Sequence, residues 1–180
     1  MDYFLLSQDN TIPNAVEPVG ILKTLDRDMI SKENVHMMDG LAVQFEIKEN
    51  SSVEYVDFIE SPVPLVSDKL KEILSKYDKK IFFKPIFLAD IKRSRQEVYW
   101  LMVPEDVECL SPKSEFNKNG TIKSIVIDEE RAKYCKVFKI KGVLENLIVI
   151  RLDVAESILR RGFSGISLTR LEKEILKEGV

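Results

Sequence analysis

His36 is the only histidine of the sequence, so a hydrolytic site built around an imidazole would have to use this residue. Its neighbours Val35, Met37 and Met38 are apolar, and no Gly-x-Ser-x-Gly motif is present to position a serine nucleophile. The seven glycines form neither of the Gly-rich motifs that bind nucleotide phosphates. We therefore predict no catalytic site and no cofactor site, and we expect a binding protein that is not an enzyme.

Cys109 and Cys135 are the two cysteines, and they lie in ordinary mixed stretches of sequence. Neither belongs to a Cys-x-x-Cys pair or to the Cys/His spacing of a metal site. We expect two free thiols and no metal site. Free thiols are typical of the reducing cytoplasm.

Five carboxylates are the candidate partner-binding residues, because a predicted hairpin would place several of them on one exposed face. They are Glu46, Glu49, Glu54, Asp57 and Glu60. Such a set is usually a solvated face, and the functional alternative is an acidic patch that binds a basic protein partner. A catalytic pair of carboxylates cannot be recognised from spacing, so an enzyme with a concealed carboxylate site stays open as an alternative.

The segment 69–95 is rich in lysine and arginine and contains Tyr77, Phe82 and Phe83. Aromatic side chains among cations are typical of single-stranded nucleic-acid surfaces, so a nucleic-acid or regulatory binding module is a further alternative. The simpler interpretation is that the phenylalanines form the buried side of a strand and the lysines lie in turns. A net charge of −3 and a pI near 5.4 disfavour nucleic acid and anionic membranes as partners.

The overall composition predicts one folded domain over residues 1–180. The chain is 44% hydrophobic and 32% charged, which is typical of globular proteins, and no Gly/Ser-rich linker divides it. The first nine residues lack the basic start of a signal peptide, and no apolar run approaches the roughly 20 residues that span a bilayer. We expect a cytoplasmic protein that does not act at a membrane.

Hydrophobic periodicity predicts an α+β fold with a mixed or antiparallel sheet and a few short helices. Strands are predicted at 3–6, 41–47, 53–59, 97–103, 121–127 and 136–140; a loop is predicted at 111–120; helical turns are predicted within 21–38, at 129 and within 171–177. Asn50, Ser51 and Ser52 form a turn signal that predicts a hairpin between the second and third strands. The continuous apolar run at 97–103 indicates a strand buried on both faces.

Two segments share one pattern at a constant offset of about 85 residues, within units at about 64–86 and 148–171. Leu65 pairs with Ile150, Asp68 with Asp153, Ile73 with Ile158, Leu74 with Leu159, Ile81 with Ile166 and Phe83 with Leu168. In both units a strand leads into a helix and then into a second strand, so an internal strand-helix-strand repeat is one interpretation. The other is chance convergence on a common local pattern.

The helix ends of the two units carry the expected signals. Asp68 and Asp153 are predicted N-caps, and Glu156 has the spacing of a capping box with Asp153. The second helix should end at Gly162, after a pair of arginines that suits a helix C-terminus. The predicted core residues are Leu70, Ile73 and Leu74 in the first helix, and Val154, Ile158 and Leu159 in the second.

Several segments of the sequence resemble the Imm11 family of immunity proteins, which belongs to bacterial polymorphic toxin systems and was formerly a domain of unknown function. These segments are Pro64-Leu65-Val66-Ser67-Asp68-Lys69-Leu70, the strand through Trp100, Ile125-Val126-Ile127-Asp128-Glu129-Glu130, Val137-Phe138-Lys139-Ile140-Lys141-Gly142, and 148–168 with its Gly162-Phe163-Ser164-Gly165-Ile166 turn. The resemblance covers most of residues 60–171. It implies a cytoplasmic protein that protects its producer by binding a cognate toxin, and it transfers no catalytic residue.

Overall fold

The computed structural model describes residues 1–41 and 43–174. The strands are β1 (Tyr3–Gln8), β2 (Gln44–Glu46), β3 (Phe58–Ile59), β4 (Leu65–Ser67), β5 (Phe82–Asp90), β6 (Arg95–Val103), β7 (Glu105–Val107), β8 (Glu115–Phe116), β9 (Ile122–Ser124), β10 (Val126–Asp128), β11 (Val137–Ile140), β12 (Ile148–Arg151), β13 (Ile166–Arg170) and β14 (Glu172–Glu174). The helices are α1 (Ile21–Thr24), α2 (Asp68–Tyr77), α3 (Glu129–Ala132) and α4 (Leu152–Arg161), with 3-10 turns at Arg27–Met29 and Val35–Met38. This content confirms the α+β class.

Two five-stranded sheets, each mixed in direction, form the framework. The first sheet has the order β13-β1-β12-β11-β7, and only its β11–β7 pair is parallel. The second has the order β2-β5-β6-β4-β3, and only its β2–β5 pair is parallel. Two small ribbons, β10–β14 and β8–β9, complete the pairing.

The predicted strand-helix-strand order is present at both places. In the first unit α2 connects β4 to β5, and both strands flank β6; in the second unit α4 connects β12 to β13, and both strands flank β1. Each helix therefore joins two strands that are separated by one antiparallel strand. A common origin of the two units stays a prediction.

The two helices pack against each other over a shared core between the sheets. Helix α2 contributes Leu70 and Leu74, and helix α4 contributes Val154 and Ile158. Burial of each such aliphatic side chain stabilises the fold by about 1.5–3 kcal/mol, whereas ten-residue helices are marginal alone. A second core lies between the second sheet and the N-terminal segment, and a third lies between the first sheet and residues 107–135.

The N-caps of both helices differ from the prediction. Helix α2 is capped by Ser67, whose Oγ accepts a hydrogen bond from Leu70 N–H at 3.2 Å, so Asp68 is the first helical residue. Helix α4 follows Arg151, and no side chain caps it. The capping box is therefore wrong, because Arg151 binds both carboxylate oxygens of Asp153 at 2.8 and 2.6 Å.

The end of α4 confirms the prediction of a C-terminal glycine. Gly162 adopts the left-handed conformation with a φ of 61°, and the arginines precede it in the last turn.

One predicted core residue is wrong. Leu159 is 68% exposed, whereas the other five predicted core residues are buried. The buried residues of α4 are Val154, Ala155, Ser157 and Ile158, so its buried stripe faces α2 and the first sheet without including Leu159.

The predicted hairpin of 41–47 with 53–59 is also wrong. Strand β2 pairs with β5 in parallel, and β3 pairs with β4. The nine-residue β5 supplies a longer apolar partner for Phe45, while buried Val56 packs into the core beside the N-terminal segment. The predicted strand at 41–47 narrows to Gln44–Glu46, and Ala42 lies outside the described residues.

The remaining expectations have mixed outcomes. The strands at 3–6, 97–103 and 136–140 and the helical turn at 129 are confirmed, and the strand at 121–127 divides into β9 and β10. The helical region at 21–38 consists of α1 and two 3-10 turns, and the loop at 111–120 contains the short strand β8. The helical turn at 171–177 is wrong where the chain is described, because β14 lies there beside β10, and residues 175–177 lie outside the described range.

None of the helices within the described ranges is long and apolar enough to cross a membrane.

Candidate partner-binding surfaces

Two clefts lie beside the turn between β3 and β4. The first has a volume of about 630 Å³ and is lined by Arg27, Ile30, Glu60, Ser61, Pro62, Val63, Thr121, Lys139, Val143, Leu144, Glu145, Asn146 and Leu147. The second has a volume of about 570 Å³ and is lined by Gln8, Asn10, Ile12, Asn14, Ala15, Val16, Glu17, Pro18, Asn50, Ile59, Ser61 and Pro62. Because Ser61 and Pro62 line both, the two clefts adjoin, and we refer to them as the joined clefts.

Backbone hydrogen bonds fix the carboxylates of the first cleft. Glu60 Oε2 accepts from Gln8 N–H at 2.9 Å, and Glu60 N–H donates to Gln8 Oε1 at 3.1 Å, so this residue links β3 to the end of β1. Glu145 Oε1 accepts from Ile122 N–H at 2.8 Å. Its Oε2 is buried and has no hydrogen-bond partner in the described part of the chain.

The charge of the joined clefts is moderately negative. Two of the ionised lining groups already have partners, because Glu17 pairs with Lys48 at 3.0 Å and Lys139 pairs with Asp106 at 2.9 Å. Arg27 is exposed and forms no ion pair with the described residues. The acidic lining groups that form no ion pair with the described residues are Glu60 and Glu145. The exposed carboxylates of Glu49 and Glu54 lie close by.

Glu49 and Glu54 flank the second cleft. Glu49 precedes Asn50 of the lining, and Glu54 N–H donates to the carbonyl of Asn14, another lining residue, at 2.8 Å. Both glutamates are exposed. They are therefore accessible to a partner that enters this cleft.

The five predicted partner-binding residues do not share one strand face. Glu60 lines the first cleft, Glu49 and Glu54 flank the second, and Glu46 lies on the outer face of β2. The tertiary structure brings three of the five to the joined clefts by folding the 47–63 segment around the N-terminal loop.

The carboxylate of Asp57 is occupied by hydrogen bonds within the protein. Its Oδ1 accepts from Ser67 Oγ at 2.6 Å, and its Oδ2 accepts from Ser164 N–H at 2.8 Å. It thus orients the N-cap of α2 and also binds the turn that follows α4. Charge reversal at Asp57 would remove contacts between the two units, so it would test stability and not binding alone.

A third surface is the half of the second sheet, on the face opposite the N-terminal segment, that residues 1–41 and 43–174 leave uncovered. Cross-strand pairing places Gln44, Phe87 and Val98 in one row, Glu46, Ala89 and Gln96 in the next, and Pro85 and Trp100 in a third. We call this set the open face. Val98 is 40% exposed, so the prediction of burial on both faces is wrong here.

Sequence patterns found these surfaces only in part. The lining residues Arg27, Ser61, Pro62 and Glu145 carry no local signal, because they come from separate loops. The sequence did contain a signal for the open face. The apolar run of β6 has more apolar residues than a strand with one buried face requires.

The thiols do not form a nucleophilic site. Burial raises the pKa of Cys109 to about 12. Burial also raises the pKa of Cys135 above its ordinary value. Both cysteines therefore remain protonated at neutral pH, when a thiolate would be needed for attack.

The histidine and the carboxylates do not form a metal-binding arrangement within the described residues. His36 is exposed on the second 3-10 turn. Within residues 1–41 and 43–174, no three His, Cys, Asp or Glu side chains form a group that could hold a metal ion.

The basic segment is largely engaged in intramolecular contacts. Lys76 pairs with Glu72, Lys80 with Glu105 and Arg93 with Asp90. Phe82 and Phe83 lie on opposite faces of β5 and pack against two different cores. The simpler interpretation is therefore correct only in part, because the two phenylalanines do not share one buried side of β5 and Lys76 lies on α2, not in a turn.

No protein-family model matches the sequence, and a search of curated proteins returns no match.

Proposed function

We propose that this chain is an immunity-type protein that neutralises a cognate protein toxin by stoichiometric binding in the bacterial cytoplasm. The observation that supports the proposal is the pair of joined clefts, since they offer a concave surface with accessible carboxylates. The sequence resemblance supplies the biological context, and the clefts supply a place for a basic partner to bind.

The chemistry of the clefts favours a protein partner over a small metabolite. The first cleft combines apolar groups such as Ile30 and Leu144 with charged groups, and Leu144 is 70% exposed at its wall. The second is lined by both amide and apolar side chains, most of them from the N-terminal loop. A protein loop with long basic side chains satisfies both, because lysine and arginine stems cover apolar surface while their heads reach carboxylates.

Each residue has a distinct role in this proposal. Glu49 and Glu54 steer and hold basic side chains of the toxin, while Glu60 presents its carboxylate inside the first cleft. Asp57 stabilises the segment between Glu54 and Glu60 through its hydrogen bonds with Ser67 and Ser164. Standard interfaces bury about 800 Å² on each partner, so the clefts provide only part of the contact area.

The test is co-expression of the chain with the product of the adjacent gene in a bacterial host. The proposal expects growth arrest by that product alone, rescue by this chain, and a one-to-one complex after purification. Growth arrest in both cases, or rescue without a complex, would overturn it.

A charge-reversal variant localises the binding. Glu49→Lys with Glu54→Lys should weaken the complex about tenfold and reduce its salt dependence, because two accessible carboxylates would repel a basic loop. Glu172→Lys, an exposed glutamate on β14, is the matched control and should leave affinity within about twofold. Equal affinities of all three proteins would exclude the joined clefts as the binding site.

A further inference from the structure

The open face of the second sheet is unusually apolar for a sheet face that contacts water. Antiparallel strands with one solvated face normally alternate apolar and polar residues, yet this side of β6 carries Val98, which is 40% exposed, and Trp100, which is half-buried and packs in part against the core beneath α2. Phe87 of β5 lies beside Val98 and is half-buried. Helix α2 covers the other end of this face, where Met102 is fully buried.

The open face is held in one conformation before any partner arrives. Trp100 Nε1 donates to Asp68 Oδ1 at 2.9 Å, and the ammonium of Lys71 lies 4.0 Å from the centroid of the indole ring. At the opposite corner, Gln96 Nε2 donates to Gln44 Oε1 at 3.1 Å across β5. Rigid aromatic groups with a satisfied polar handle are typical of interface hot spots, because little entropy is lost when they are covered.

The open face is too small to form a complete protein interface by itself. Three strands about 4.8 Å apart and five residues of about 3.3 Å each give an area near 240 Å². A stable dimer needs about 800 Å² on each partner. The open face is therefore suited to be one part of a larger interface.

The open face is continuous with the second cleft around the edge of β2. Val19 N–H donates to the carbonyl of Glu46 at 2.9 Å, and Lys48 N–H donates to the carbonyl of Glu17 at 2.8 Å. Residues 17–19 therefore run directly beside β2, and Glu17 and Pro18 also line the second cleft. Glu46, on the open face, extends the accessible carboxylates of Glu49 and Glu54 to this side.

We propose that the open face is the apolar anchor of the same interface, where the toxin that enters the joined clefts packs an apolar or aromatic side chain against Phe87, Val98 and Trp100. This inference rests on the proposed function. A basic side chain of the toxin next to that anchor forms an ion pair with Glu46. The partner is thus a protein whose binding surface has an apolar centre beside a basic loop.

The test measures the affinity of purified Val98→Glu for the product of the adjacent gene. We expect binding at least about tenfold weaker than for the wild-type chain, because a charge would be buried against an apolar anchor. Ile91→Glu is the matched control, since Ile91 is 66% exposed in the turn of the same hairpin; its affinity should stay within about twofold. Val98→Thr keeps the shape and the β-branched backbone preference, and it should give an intermediate loss if Val98→Glu fails to fold.

The outcomes separate this inference from the proposed function. If the wild-type chain binds the toxin and Val98→Glu or a folded Val98→Thr binds equally well, the anchor is wrong and the immunity function stands. If the wild-type chain does not bind, the proposed function fails and the inference fails with it. If sedimentation shows a dimer that Val98→Glu separates, the occupant is a second copy and the inference is overturned.

Discussion

The two strand-helix-strand units have the same connections, but their sheets are covered differently. In the second unit, the first sheet has a core on each face, because residues 107–135 fold over the side opposite α4. In the first unit, the N-terminal segment covers one face of the second sheet, and α2 covers only half of the other. The local architecture is the same, so the difference comes from chain segments outside the units.

Because of this difference, the second unit serves mainly as scaffold and the first unit borders an accessible surface. Strand β12 of the second unit is buried on both faces, whereas beside the first unit Val98 is exposed and Phe87 and Trp100 are only half-buried. The joined clefts lie outside both units, beside the turn that precedes β4 and the loop that precedes β12. Two units with the same connections thus differ in role: the second contributes mainly to the core, and the first lies beside a candidate binding surface.

The largest expected effect compares Leu74 with Leu159, which occupy matching positions at the offset of 85. Leu74 is fully buried and Leu159 is 68% exposed. Leu74→Ala should lower the free energy of unfolding by about 2–4 kcal/mol, because it removes apolar contacts and leaves a cavity. Leu159→Ala should change it by less than about 0.5 kcal/mol. Chemical denaturation of both variants checks the difference, and similar losses would mean that the two helices bury the same stripe.

A second comparison concerns how closely the turn after α4 approaches the segment that precedes β3. A Cβ added to Gly165 would lie 2.4 Å from the Cβ of Val56, and the residue has a φ of +73°. Gly165→Ala should therefore lower the free energy of unfolding by about 2–3 kcal/mol, since backbone strain adds to overpacking.

Gly142→Ala is the control for Gly165→Ala, because Gly142 has a φ of +85° and no atom within 4 Å of an added Cβ. It should lose only about 1 kcal/mol, the contribution of strain. Thermal unfolding of both variants measures the difference. Equal losses would show that Gly165 does not pack closely against Val56.

The smallest expected effect compares the ion pairs of the two units at different pH. The hydrogen bond from Arg93 holds the pKa of Asp90 below its ordinary value, and Arg151 does the same for Asp153. A carboxylate with a lowered pKa contributes its stability above the ordinary value near 4 and loses it as the pH falls through the lowered value. Asp90→Asn should therefore lower the Tm at pH 7 and make little difference near pH 2.

The matched variant Asp153→Asn should show the same pH profile with a smaller amplitude. Asp153 is 40% exposed, whereas Asp90 is 3% exposed and also accepts a backbone N–H from Arg93. Melting curves between pH 2 and pH 7 give both profiles. A Tm difference for Asp90→Asn that persists unchanged at low pH would contradict a role for the charged carboxylate.

The predictable part of the fold followed from local periodicity. Short apolar runs located β1 and β6, alternating residues located β11, and amphipathic patterns located the two long helices, because each pattern depends on nearby residues. Gly162 was correctly placed at a helix end since few other residues adopt its conformation without strain. Helix starts were less predictable, because Ser67 and Asp68 are both good caps and Asp57, ten residues earlier in the chain, orients the serine.

The partner of each strand was not predictable from local pattern. The turn signal at Asn50 suggested a hairpin, yet β2 found a longer partner in β5, about 40 residues later. The joined clefts assemble from the N-terminal loop, the turn after β3 and the loop before β12, and none of these has a distinctive composition. Of the predicted acidic residues, the structure places Glu49, Glu54 and Glu60 together and assigns Asp57 a role in packing.

The sequence by itself determined which segments are strands and helices and which side of most of them is apolar, because these properties depend on neighbours a few residues apart. Only the tertiary structure decided which apolar face lacks a cover and which carboxylates share a cleft. Those properties depend on long-range pairing, and a sheet face becomes a binding surface only when no other segment of the chain packs over it.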